Sequence, residues 1–131
     1  MTQRIAHITL LVPDYDAGIR FYVDALGFEL LEDTELSSSK RWVRVAPPGA
    51  ETSILLAKAA TPEQRAAIGN QTGGRVGFFL ETDDFERDYA AMQKRGVTFL
   101  ETPRHEAYGR VVVFADPFGN KWDLIQPEPA D

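Results

Sequence analysis

A chain of 131 residues is long enough for one hydrophobic core and too short for two ordinary ones, so a single domain spanning 1–131 is expected. Its 44% hydrophobic and 26% charged residues exclude the disordered and fibrous classes, and the lack of cysteine excludes disulfides, thiolate catalysis and Cys-ligated metal centres. A formal net charge of -6 argues against nucleic-acid partners, which want a basic face, and mildly favours a neutral or cationic ligand.

The opening segment, MTQRIAHITLLVPDYD, has an apolar run only from Ile8 to Val12, which reads as neither a secretory leader nor a membrane span. A cytoplasmic protein with no membrane partner is the expectation. Ile5 to Val12 alternates as a strand, placing His7, Thr9 and Leu11 on the face opposite Ile8, Leu10 and Val12. Asp14 or Asp16 caps a helix with apolar positions Ala17, Phe21, Ala25 and Leu26, and Gly27 stops it. Phe28–Leu31 reads as a short strand, Glu32–Lys40 as a polar loop, and Arg41–Val45 and Thr52–Ala57 as two further strands.

Thr61, Pro62 and Gln64 then supply an N-cap, a first-turn proline and a capping-box partner for a short connecting helix. After the joint Gln71–Gly74 the first plan recurs: strand Val76–Leu80, a helix capped by Asp83 or Asp84 and ended by Gly96, and strand Val97–Glu101. Pro103–Gly109 reads as a loop. Arg110 to Pro127 forms a hairpin, its strands rich in β-branched and aromatic residues around the turn formers Asp116, Pro117, Gly119 and Asn120. Alternation in its second strand sends Asp123 to the face opposite Trp122 and Leu124. The fold class is therefore α+β, two βαβββ modules at about 4–58 and 75–127 joined by a connector at about 59–74, with Leu55 of the first matching Asp123 of the second.

The runs HITLLVPDYDAGIRFYVDALGFEL, from His7 to Leu30, and FADPFGNKWDLIQP, from Phe114 to Pro127, resemble the vicinal oxygen chelate superfamily of glyoxalase I, extradiol dioxygenases and fosfomycin- and bleomycin-resistance proteins. The resemblance implies an incomplete barrel with helices outside and a pocket inside, and commonly a homodimer. It also implies four metal-binding positions, a histidine on the first strand and an acid on the last strand of each module. Carried over by position, these fall on His7, Leu55, Gly77 and Asp123. Leu55 and Gly77 have no donor, so His7 and Asp123 are the only metal candidates left in that set, for zinc, nickel, manganese or iron.

The expected function is that of a glyoxalase/bleomycin-resistance-like protein binding a small organic molecule, with no cofactor certain and acid–base chemistry open to His7 and Asp123. The alternatives are a metal-dependent lyase, isomerase or dioxygenase that recruits His105, Glu106 or substrate oxygens, and a non-catalytic interaction protein with a vestigial pocket. Ligand contacts are expected from Trp42, by stacking, from Gly77, by opening space in its strand, from Arg75 and Phe79 on the same strand, and from His105 and Tyr108 in a lid-like loop. Each has a plainer structural reading: core packing for Trp42, an Arg75–Glu81 rim pair, and a solvated loop for His105 and Tyr108.

Overall fold

The computed structural model describes residues 2–129, so Met1, Ala130 and Asp131 of the expected domain lie outside the described residues. The chain divides into two compact units, 1–68 and 69–131, with the boundary inside the expected connector.

In the first unit, strand β1 (His7–Val12) is followed by helix α1 (Tyr15–Ile19) and strands β2 (Glu29–Glu35), β3 (Arg41–Ala46) and β4 (Ser53–Lys58), ending in the short helix α2 (Pro62–Ala67). Asp14 caps α1 as expected, its Oδ2 accepting from the Ala17 backbone N–H at 3.1 Å. Gly18 lets that helix approach the sheet closely, because a Cβ there would stand 3.0 Å from Leu56 Cδ1 and 3.2 Å from Val12 Cγ1. From Arg20 to Ala25 the helix widens into a π-helical turn, which the apolar spacing does not announce, and Gly27 ends it at φ 81°. Thr61 Oγ1 caps α2 through the Gln64 N–H, and Gln64 Oε1 reaches back to the Ala60 N–H at 2.7 Å.

The sheet order is β1-β4-β3-β2, with β1 and β4 parallel and the other pairs antiparallel. Leu10, Val12, Val43, Val45 and Leu56 are fully buried on the face that α1 covers. His7, Thr9, Leu55, Trp42, Arg44 and Glu32 share the other face by register. The expected loop Glu32–Lys40 is a correction: its first half is strand, and β2 runs on to Glu35 against β3 after a register shift between Leu30 and Glu32.

The second unit repeats this plan. Strand β5 (Phe78–Glu81), helix α3 (Phe85–Lys94), strand β6 (Thr98–Phe99), strand β8 (Gly109–Ala115) and strand β9 (Lys121–Pro127) take the order β5-β9-β8-β6, with β5 and β9 parallel. Strand β7 (Arg104–Glu106) pairs with β8, so the expected loop Pro103–Gly109 is in fact half of a tight hairpin. Asp84 caps α3 at the Arg87 N–H, and Gly96 ends it at φ 83°. Phe78, Phe114 and Trp122 stack beneath α3, with Phe78 and Trp122 centroids 4.9 Å apart and Phe114 and Trp122 5.8 Å apart. The resulting class is the expected α+β arrangement of βαβββ units.

The β8–β9 turn is held by one buried carboxylate. Asp116, 4% exposed, accepts from the backbone N–H groups of Phe118 and Asn120 through Oδ1 and from the Asn120 amide through Oδ2. Replacing it leaves three donors without their acceptor. Asp116→Ala is expected to cost about 3 kcal/mol by urea denaturation, since each buried unsatisfied donor costs roughly 1–3 kcal/mol. A loss below about 1 kcal/mol would show that the turn holds its shape without this carboxylate.

Candidate functional site

On the helix-free face of the first unit, register brings five side chains into one hydrogen-bonded set. Glu32 Oε1 accepts from Trp42 Nε1 at 3.1 Å and from Arg44 Nε at 2.9 Å. Arg44 Nη1 donates to Ser53 Oγ at 3.3 Å, and Ser53 Oγ lies 2.8 Å from His7 Nδ1. The His7 and Trp42 rings meet edge to face at 5.9 Å. This network follows from pairing: Ser53 is opposite His7, Arg44 is opposite both Glu32 and Leu55, and Thr9 is also opposite Leu55. His7 is exposed, and with Nδ1 engaged, Nε2 is the nitrogen it presents outward. Glu32 and Ser53 were not singled out from sequence. The register shift between Leu30 and Glu32 breaks the alternation that would have carried the strand reading to Glu32, and the polarity of the segment masks what remains.

Beside Trp42, at the far end of β4 and the start of α2, lies a cavity of ≈ 570 Å³ within the range of small-molecule sites. Its lining includes the aromatic residues Trp42 and Tyr15, the apolar Leu55 and Ala57, and the cationic Lys58 and Arg65.

In the second unit, Asp123 lies between Phe79 of β5 and Val113 of β8, on the face opposite Trp122 and Leu124. Its Oδ1 is sealed from solvent and is the only such side-chain atom among the described residues that makes no hydrogen bond. Burial pushes its carboxyl up from the ordinary aspartate value, the Arg104 charge pulls it partway back, and Glu101 adds to the rise. Arg104 cannot do more because it is taken by Glu101 at 2.9 Å and Glu106 at 2.7 Å.

The remaining expected contacts are scattered. Phe79 is 67% exposed and Tyr108 54% exposed. His105 Nε2 pairs with Glu128 at 2.7 Å in the β7–β8 hairpin, not in a free loop. Arg75 is exposed, precedes the strand and makes no ion pair with Glu81. The space expected at Gly77 is filled, because a Cβ there would meet Thr72 Cγ2 at 2.5 Å.

A resident divalent metal does not fit this donor set. Within each unit the register confirms the positional match, Thr9 opposite Leu55 as Phe79 is opposite Asp123, so the two positions without donors are Leu55 and Gly77. Among the described residues no three His, Asp or Glu side chains gather into a ligand group.

The raised Asp123 pKa has a defined pH signature. The folded state holds the proton more tightly than the unfolded chain, so this contribution to stability is full below the unfolded-state pKa and is lost as pH rises through the folded one. Asp123→Asn should therefore stabilise the fold at neutral pH by about 1 kcal/mol, kept at the low end because the residue as a whole is only partly buried. The gain should vanish below about pH 4, where the wild-type group is protonated as well. Parallel urea titrations at both pH values decide it, and an equal effect at each would remove ionisation as the cause.

Comparison with known proteins places this geometry. Residues 4–124 match the model of the Glyoxalase/Bleomycin resistance protein/Dioxygenase superfamily. An uncharacterized protein of Shewanella frigidimarina is 55% identical over 96% of this chain and 95% of its own. TnmS3, an antibiotic binding protein from Streptomyces sp. CB03234, superposes with a TM-score of 0.79 at 34% identity, covering 97% of this chain and 98% of that one. UcmS2 superposes with a TM-score of 0.81 at 30% identity, covering 95% and 98%. With the repeated βαβββ units, the parallel pairing of first and last strands and the family match over nearly its whole length, the chain belongs to the glyoxalase/bleomycin resistance protein/dioxygenase superfamily.

Proposed function

We propose that this protein binds a small organic molecule on the Trp42 face of its first unit and acts by sequestering it, as an antibiotic binding relative such as TnmS3 suggests. The observation that carries the reading is the juxtaposition of an aromatic-walled cavity of ≈ 570 Å³ with a side-chain network whose polar groups are already satisfied by one another. Such a wall is rigid before a ligand arrives, which limits the ordering cost of binding. Trp42 supplies ring surface, its N–H being engaged by Glu32, and His7 supplies Nε2 as a polar contact. Arg75, Phe79, His105 and Tyr108 remain proposals for ligand contacts of the second unit in its own right, whereas the space proposed at Gly77 is taken by Thr72.

A second reading, acid–base chemistry at Asp123, is favoured by its raised pKa, since a carboxyl that holds a proton nearer to neutral pH can exchange one with a bound molecule. A homodimer belongs to the same proposal: Ile8, Phe79 and Leu100, 45%, 67% and 49% exposed, are apolar surface that a second copy would cover.

A thermal-shift screen of aromatic compounds should find ligands that raise Tm, and Trp42→Ala should weaken their affinity about tenfold, as expected when one aromatic contact worth roughly 1 kcal/mol and its buried area are lost. Recovery of the compound unchanged after long incubation supports sequestration. Turnover abolished by Asp123→Asn would establish the second reading instead. Sedimentation velocity at micromolar concentration is expected to give twice the mass of 14.6 kDa, and a monomer would remove the dimer.

A further inference from the structure

The cavity beside Trp42 has a charge of its own. Lys40, Arg41, Lys58 and Arg65 line it, and no aspartate or glutamate does, in a chain with 20 acidic and 14 basic residues. Arg41 is already compensated: its guanidinium pairs with Asp16 at 2.9 Å and Asp33 at 2.8 Å, and that hydrogen bond holds the Asp33 carboxyl below its ordinary value. Lys40, Lys58 and Arg65 form no ion pair among the described residues, whereas Arg44, Arg87, Arg104 and Arg110 all do. Three cationic residues without an ion pair therefore line a concavity whose other lining residues include Trp42, Tyr15, Leu55 and Ala57.

We propose that this cavity selects an anionic aromatic molecule, a planar ring system bearing a carboxylate or comparable oxyanion. The ring would lie against Trp42 and the apolar wall, and the oxyanion would be met by Lys58 and Arg65 at the start of α2, with Lys40 at the opposite lip. This rests on the reading that the chain binds a small organic molecule, and it reverses the ligand charge that the acidic composition suggests. Bulk charge acts over the whole surface and is screened within about 10 Å at moderate salt, so the few charges lining the concavity decide its selectivity. A cationic ligand would meet three like charges there and no acid. A neutral one would leave the cations without a partner but would lose nothing it had in water, so charge should rank anion over neutral over cation.

The test uses the full chain and three probes of one ring system, naphthoate, naphthylmethanol and naphthylmethylamine, titrated calorimetrically at low and high salt. Naphthoate is expected to bind about tenfold more tightly than the alcohol, with the amine weakest, and the preference should shrink as salt rises. In Lys58→Gln/Arg65→Gln the naphthoate affinity should fall to that of the alcohol. The alcohol's own affinity should fall by much less than the naphthoate's, and the melting temperature should be unchanged, since both replaced side chains are exposed. If alcohol and naphthoate bind equally, or the amine binds best, while Trp42→Ala weakens all of them, charge selection is overturned and small-molecule binding stands. If none of the three binds to the folded protein, both readings fall.

Discussion

The parallel pairing of the first and last strands in each unit is the constraint on which the site depends. An antiparallel meander would place β1 beside β2, but here the chain returns after three strands so that β4 lies beside β1, and β9 beside β5. That return needs a crossover, and α1 and α3 provide the first leg of it, each launched by an aspartate cap and stopped by a glycine in the left-handed region. Because side-chain direction has period two, fixing His7 opposite Ser53 also fixes which residues of β3 and β2 face the same way. A slip of one residue would turn His7, Trp42 and Arg44 under α1 and send Leu10 and Leu56 into water. The burial of those two leucines therefore enforces the register of the polar face.

The two units solve the same topological problem with different energetic means. The first closes its helix-free face with hydrogen bonds that chain Glu32 to Arg44, Ser53 and His7, with the buried Ser53 hydroxyl at the centre and the exposed His7 at one end. The second has a buried turn carboxylate, Asp116, which sets the β8–β9 register, and a mid-strand carboxylate, Asp123, with one oxygen unpaired. The first carboxylate is satisfied by three donors that the turn itself aims at it. The second sits where the strand's alternation puts it, and its nearest guanidinium is committed to two other acids. Position within the hairpin, not residue type, decides which aspartate stabilises and which is strained.

Much of this was legible in the amino-acid sequence because it is local. The caps at Asp14, Thr61 and Asp84, the glycine stops at 27 and 96 and the hairpin turn are short-range patterns with a direct backbone mechanism, and the repeat of those patterns exposed the two units. The features that were not legible are set by partners distant in sequence. Glu32 reads as loop because its neighbours are polar, yet β3 offers it Trp42 and Arg44 across the ladder. Gly77 reads as an opening in a strand, but Thr72 folds back to fill it, held by its hydroxyl to the Arg75 carbonyl at 2.6 Å. Lys58 and Arg65 look like ordinary solvated charges until the return from β4 into α2 brings both to the lining of one cavity.

A metal site needs converging donors left free of other bonds. The position that the family resemblance assigns to an acid in the first unit is Leu55, which faces Arg44 across the ladder, and the guanidinium is already pulled to Glu32 and Ser53. An apolar side chain beside a cation is unsuited to a divalent ion twice over, by lacking a donor and by adding like charge. The same two features suit the organic ligand proposed above. The apolar side chain lies in the cavity lining with Trp42, and the network leaves the Glu32 carboxylate, the Arg44 guanidinium and the Ser53 hydroxyl already partnered. Under that proposal, recognition falls to ring surface, His7 Nε2 and the cationic residues without an ion pair, so selectivity would rest on shape and charge.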